Sequence, residues 1–210
     1  MFQVTDKDTG RNAKVEMKIT GGNKDNTFRI DPATGMLYTA AALDAEKKSR
    51  YVLKVSALDM ANTGMRKQSS ARVSIFVEDA NDNAPVFDDG QTSMEIFFKE
   101  NEPAGTRVIK LTARDADSGE NARITYSVAN VDADTLPFEV DQFTGVVRSR
   151  QVIDYESDRR KFVMRVRASD WGKPYRRETE LKLTINIQDI NDNRPQVREY
   201  LLCVCVCVCE

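Results

Sequence analysis

The sequence predicts an all-β protein: two tandem seven-stranded Greek-key β-sandwiches, the first shortened at its N-terminus. Three observations carry that expectation. Apolar residues alternate with period two in the longest apolar segments, as in half-buried strands. No stretch sustains a 3.6-residue apolar period. The chain also repeats itself at a spacing of about 110 residues, an ordinary domain size.

The strands follow in order. In the first unit they are expected at Val15 to Thr20, Phe28 to Ile30, Met36 to Tyr38, Tyr51 to Ala57 and Val73 to Val77. The second unit repeats the last two at Phe162 to Ala168 and Leu183 to Ile187. Shorter candidates there are Met94 to Phe98, Val108 to Leu111, Ile124 to Val128 and Val146 to Arg148. Clusters of Gly, Asn, Asp and Pro separate them, as tight turns require. About seven short strands per unit favour a sandwich over a barrel or propeller.

The repeat is written mainly in acidic residues. Asp79-Ala80-Asn81-Asp82-Asn83 recurs as Asp189-Ile190-Asn191-Asp192-Asn193, each followed two residues later by proline. Asp6-Lys7-Asp8, with Asn12, recurs as Asp115-Ala116-Asp117, with Asn121. Asp44-Ala45-Glu46 recurs as Asp154-Tyr155-Glu156, and Asp59 as Asp170. The turn Asp31-Pro32-Ala33-Thr34-Gly35 recurs as Asp141-Gln142-Phe143-Thr144-Gly145. Any one Asp/Asn/Gly cluster reads as a solvated turn. A whole set recurring in one order demands a common cause.

Composition excludes several function classes. The net charge of −2 over 210 residues offers no global attraction to nucleic acid or an anionic membrane. With no histidine anywhere, Ser-His-Asp triads and imidazole metal sites are excluded. Paired carboxylates run glycoside hydrolysis in some enzymes, but these sit together at domain ends and suit metal ligation better. The chain is therefore expected not to be an enzyme. No run reaches the roughly 18 consecutive apolar residues of a membrane-spanning helix.

Calcium fits the acidic set. It takes six to eight oxygens from carboxylates, carbonyls and Asn side chains at about 2.3 to 2.6 Å, and Asp-x-Asn-Asp-Asn packs such donors into five residues. These residues resemble extracellular cadherin repeats, and the resemblance covers Val4 to Pro195. It implies repeats at 1–85 and 86–195, with calcium, three ions to a junction, held between successive repeats.

Carried over by position, the resemblance assigns Asp44, Glu46, Asp79, Asp82 and the carbonyl of Ala80 to the upstream side of the junction. Asn81 and the carbonyl of Asn83 face the downstream repeat, which supplies Asp115, Asp117, the carbonyl of Asn121, and Asp170. The family's upstream glutamate has no counterpart here, because it would precede Met1. Glu100, Asp154, Glu156, Asp189, Ile190, Asn191, Asp192 and Asn193 form half of a second site at the far end. Asp6, Asp8, Asn12 and Asp59 form half of another at the near end.

The resemblance further implies calcium-dependent cell–cell adhesion, with other cadherin ectodomains as homophilic or heterophilic partners, at the extracellular side of the plasma membrane. Membrane attachment would come only through segments outside this sequence. The alternative is a calcium-stiffened spacer or soluble scaffold that makes no adhesive contact. Classical cadherins exchange a strand carrying an N-terminal tryptophan, and the only tryptophan here is Trp171. The segment Arg167 to Glu178 is similar to repeats of the long Fat-type cadherins. Trp171 is expected to pack over its Gly-Pro loop, and Arg165, Arg167, Arg176 and Arg177 to be solvated strand-face cations.

Both ends of the sequence read as cuts. Asp6 lies close to Met1, whereas Asp115 lies 30 residues after Pro85, so about a strand and a half is expected to be missing from the first unit. At 196–210 the tail runs into strict Cys-Val alternation from Cys203 to Cys209. Because TGT encodes Cys and GTG encodes Val, it is expected to be read-through of a TG tract at a mispredicted exon edge; the alternatives are a genuine short β-strand or an acylated tail.

Overall fold

Alternation places the core. In the computed structural model, which describes residues 3–62 and 65–197, Tyr51, Leu53 and Val55 are buried while Val52 and Lys54 face outward. They belong to β4 (Arg50–Asp59), which runs antiparallel between β1 (Val15–Gly21) and β5 (Gln68–Phe76). β2 (Phe28–Ile30) and β3 (Leu37–Thr39) form a separate hairpin. The tail from residue 198 onward lies outside the described residues.

The second half contains the same five elements and four more. β10 (Thr125–Val128), β13 (Lys161–Ser169) and β14 (Glu178–Gln188) repeat the β1-β4-β5 order, and β7 (Ser93–Lys99) adds in parallel to the outer edge of β14. β11 (Phe138–Val140), β12 (Val146–Ser149) and β8 (Arg107–Lys110) form the second sheet. β6 (Val86–Phe87) pairs with β9 (Ala113–Arg114). The fold is all-β, and 3-10 turns at Asp88–Gly90 and Ala133–Thr135 are its only helical pieces among the described residues.

Several expectations need adjusting. β5 starts at Gln68 rather than Val73, because pairing with β4 extends from Arg50↔Phe76 to Leu58↔Gln68 and draws in a polar run with no alternation of its own. The short strands β6, β9 and β11 go beyond the expectation; each is strand only through its pairing, β6 with β9 and β11 with β12. What the first half lacks, among its described residues, is the counterpart of four segments, β6 to β9. In the second half the 3-10 turn, with Asp89 and Gly90 at positive φ, separates β6 from β7, and a break at Leu111-Thr112 separates β8 from β9.

Packing differs accordingly. Sixteen buried apolar residues, from Phe87 to Ile187, form one cluster in the second half, with Phe138 edge-on to Phe98 and Phe162 at centroid distances of 5.8 and 5.5 Å. Among the described residues of the first half, Phe28, Tyr51 and Leu53 alone form the corresponding buried cluster. At about 1.5 to 3 kcal/mol per fully buried large apolar side chain, the second core is much the stronger.

The Asp-x-x-Thr-Gly turn proves to be structural in both halves. The Oδ1 atom of Asp141 accepts hydrogen bonds from the N–H groups of Phe143 and Thr144 and from the Thr144 hydroxyl, at 3.1, 2.8 and 2.7 Å. Asp31 does the same with Ala33 and Thr34 at 3.1, 2.7 and 2.8 Å. These bonds stabilise the charged form, so both carboxyls are held below the usual carboxylate range, led by the Thr34 N–H for Asp31 and the Thr144 hydroxyl for Asp141.

Candidate metal centre

Between β5 and β6 the chain runs through Asp79 to Asn83, and the two halves meet there. The loop before β10 brings up Asp115, Asp117 and Asn121, and the end of β13 brings Asp170. Asp117 is buried, and its Oδ1 accepts Nδ2 of Asn83 at 2.6 Å, while the Asn83 N–H lies 3.3 Å from each of its oxygens. From the linker, Asp79 Oδ2 accepts the Ser118 N–H at 2.8 Å and the Asn121 amide at 3.1 Å. Glu46 reaches the same place: ligand oxygens of Glu46, Asp79 and Asp117 lie within 4.8 Å of one another.

Electrostatics mark the cluster as strained by its own charge. Glu46 is pushed above the usual carboxylate range, first by the Asp79 carboxyl beside it, then by partial burial and the charges of Asp82 and Asp79. Asp79 is held below that range, first by the Ser118 N–H. Burial, reinforced by Asp117 and Asp170, pushes Asp115 up. Asp170 has no exposed surface, and its Oδ1 accepts the N–H groups of Gly172 and Arg177 at 2.9 and 3.1 Å.

Three oxygens at this junction are buried without a hydrogen-bond partner among the described residues: Asp79 Oδ1, Asn81 Oδ1 and Asp115 Oδ2. Buried polar atoms are almost always paired, because an unpaired one costs about 1 to 3 kcal/mol. Three acceptors, two of them carboxylate, with no donor to satisfy them, fit a hard divalent cation. The set is all oxygen, which suits calcium or magnesium and not a thiophilic metal.

Some predicted ligands already hold local hydrogen bonds. Asp44 is taken up by its own turn, accepting the Lys47 N–H at 2.8 Å and pairing with Lys47 Nζ at 2.7 Å. Asp82 Oδ1 accepts the Asn83 amide at 2.8 Å, and the Ala80 carbonyl accepts the Asp82 N–H at 2.7 Å.

At the far end Glu100, Asp154 and Glu156 form a second group with ligand oxygens within 4.8 Å. Glu100, 1% exposed, accepts the Tyr155 N–H at 2.7 Å and the Ile190 N–H at 2.6 Å. Asp192 accepts amides from Asn101 and Asn193, both at 2.7 Å, while Asp189 and Asn191 are exposed. At the near end Asp59 is buried and accepts the N–H groups of Ala61 and Lys67 at 3.2 and 2.9 Å, much as Asp170 does in its own loop. Asp6 accepts the Asp8 N–H at 2.9 Å; Asp8 and Asn12 lie exposed before β1.

Sequence reasoning missed the loop between β13 and β14. The Asn81 amide donates to the Tyr175 carbonyl at 2.8 Å, and Arg177 Nε donates to the Asn81 carbonyl at 2.8 Å. Arg177 thus contacts the linker through Nε while remaining exposed, and it lies just before β14 and not on a strand face. Arg167 is no free cation either, since it pairs with Glu178 and Glu180 at 2.9 and 2.8 Å. Trp171 stacks under the Arg123 guanidinium, 3.9 Å from the ring centroid.

A family model described as "Cadherin domain" matches residues 1–78 and 94–188. Among similar proteins, the Fat-like cadherin-related tumor suppressor homolog of Drosophila melanogaster is 55% identical over 195 residues, 93% of this chain and 4% of its own length. Protocadherin Fat 1 of Homo sapiens is 39% identical over 168 residues, 80% of this chain and 3% of its own. Among solved structures, mouse Cadherin-23 EC22-24 superposes with a TM-score of 0.77 at 32% identity, over 89% of this chain and 56% of that one. The Protocadherin gammaB7 EC3-6 cis-dimer structure gives 0.79 at 31%, over 94% and 46%. The chain thus spans only a few per cent of these full-length relatives.

Proposed function

This chain belongs to the cadherin family, and from that premise we propose that it serves calcium-dependent cell–cell adhesion as two extracellular repeats whose junction calcium makes rigid. Residues 1–85 and 86–195 are the two repeats, followed by a tail of different character at 196–210. Two observations carry the reading: ligand oxygens of Glu46, Asp79 and Asp117 lie within 4.8 Å of one another, and three buried oxygens of the linker and the second half, from Asp79, Asn81 and Asp115, have no hydrogen-bond partner among the described residues.

Glu46, Asp79, Asp82, Asp115, Asp117 and Asp170 hold calcium there, with Asp44 joining once it leaves Lys47. Without the cation these carboxylates repel and drive the halves apart; with it they are cross-linked. Extracellular calcium modules typically bind with dissociation constants of about 10⁻⁴ to 10⁻³ M, so stiffness follows the calcium level outside the cell. Glu100, Asp154, Glu156, Asp189, the Ile190 carbonyl, Asn191, Asp192 and Asn193 form the upstream half of a like junction. Asp6, Asp8, Asn12 and Asp59 form the downstream half of another.

Small-angle scattering tests the reading: the chain should elongate as calcium enters the millimolar range, and Asp82→Ala and Asp117→Ala should each blunt the response. Unchanged dimensions on chelation would defeat it. The spacer reading is favoured by one observation, that Trp171 lies in the loop between β13 and β14, under Arg123, and not on an N-terminal strand of the kind classical cadherins exchange. Beads coated with the chain decide between them, since adhesion requires calcium-dependent clumping and a spacer gives stiffening alone.

A further inference from the structure

Gly172 has no need of glycine's conformational freedom. Its φ is not in the left-handed range that seven other glycines occupy. What a side chain there would meet is Asn81: an added Cβ would fall inside the Asn81 carboxamide. The missing side chain therefore makes room for a linker residue 91 positions away in sequence.

Two neighbours in the same loop hold Asn81 from other directions. The Tyr175 carbonyl accepts its Nδ2–H at 2.8 Å, and Arg177 Nε donates to its backbone carbonyl at 2.8 Å. The first bond fixes the amide orientation. With nitrogen committed to Tyr175, the oxygen must face the other way, and Asn81 Oδ1 is one of the three buried oxygens without a partner. The Arg177 N–H also donates to Asp170 Oδ2 at 3.0 Å, so one residue touches both the linker and a buried carboxylate of the downstream half. Trp171, stacked under Arg123 and 5.5 Å from the Arg176 guanidinium, ties the loop to its own domain.

We propose that the Trp171–Arg177 loop is a metal-independent latch, in which Gly172, Tyr175 and Arg177 are positioning residues that seat Asn81 and aim its carboxamide oxygen into the junction. None of the three supplies a ligand. Each acts through Asn81 or Asp170, as partners of metal ligands do when they fix ligand orientation. The consequence for metal affinity rests on the calcium reading, whereas the latch itself does not.

The experiment uses the whole chain and has two arms. In chelator, nuclear Overhauser effects should connect the Asn81 side-chain amide protons to the Gly172 α-protons. Their absence would overturn the latch whatever the metal does. In the second arm terbium replaces calcium, and its luminescence is sensitised by Trp171, which adjoins Asp170 and is the only tryptophan. Gly172→Ala should weaken calcium-competed terbium binding about 10-fold, the low end of the usual effect of such partners.

The same substitution should cost nothing further in an Asn81→Gly background, where nothing is left to displace. Wild-type affinity in Gly172→Ala would overturn the proposal, as would an equal loss in both backgrounds, which would assign the glycine to the loop alone. Wild-type chain showing the Overhauser contacts but no calcium-competed luminescence would defeat the calcium reading and uphold the latch.

Discussion

Asn83 and Asp117 bind each other across the junction by three hydrogen-bond contacts, from the Asn83 N–H to both carboxylate oxygens at 3.3 Å and from Nδ2 to Oδ1 at 2.6 Å. A linker amide thus neutralises part of a buried carboxylate of the second half and fixes the exit of the linker against it.

Asp117→Asn separates charge from hydrogen bonding. The variant keeps one acceptor for Asn83 and removes one negative charge from a group already raised in energy by mutual repulsion. Calcium titration by calorimetry should show affinity falling at least about 10-fold, with calcium-free melting unchanged or slightly higher. Retained affinity would remove Asp117 from the ligand set.

Glu100 offers the opposite experiment, because burial makes it structural as well. Glu100→Ala would strand the N–H groups of Tyr155 and Ile190, each of which now donates to one carboxylate oxygen. Ile190 is exposed, so water can reach its N–H, and the penalty of about 1 to 3 kcal/mol for a buried unsatisfied group applies mainly to Tyr155; a loss of about that size is expected in chemical denaturation of the second domain. Glu100→Gln, which keeps an acceptor, should lose less.

Asp141 should titrate below the usual carboxylate range when followed by carbon-detected NMR, and Thr144→Ala should move it back up, because the hydroxyl is the leading cause of the depression. The sign for stability follows. A depressed folded-state value contributes stability that is fully present above the unfolded value and is lost as pH falls through the folded one. Acid should therefore loosen this turn only below the ordinary carboxylate range.

Unequal cores predict unequal melting. With calcium chelated, the domain containing Leu53 should unfold at lower temperature than the one containing Leu183, because it buries far fewer apolar side chains. Leu183→Ala should cost about 2 to 5 kcal/mol in the later transition. A single transition that both Leu53→Ala and Leu183→Ala shift equally would show that the halves unfold as one.

Much of this was legible in the chain because it is local. Alternation at Tyr51, Leu53 and Val55 needs only neighbours two residues apart, and it found β4 and its repeat β13. The Asp-x-x-Thr-Gly turn closes on itself within four residues. Strand β5 was cut short in the sequence reading because Gln68 to Ala71 become strand only through pairing with β4. Arg177 read as a solvated cation for a similar reason: its partner, Asn81, is 96 positions away.

The sequence by itself determined that the protein is a repeated β-sandwich with acidic oxygen donors gathered at domain ends, since period, turn chemistry and repetition are all written in short stretches. Only the tertiary structure decided which donors meet. It joined Glu46 to Asp79 and Asp117, set the Asn83 amide on Asp117, and brought Asn81 to the space left by the glycine at position 172. The physical reason is that a side chain's aim depends on what packs against it, and here the packing partners come from two domains brought together by a five-residue linker.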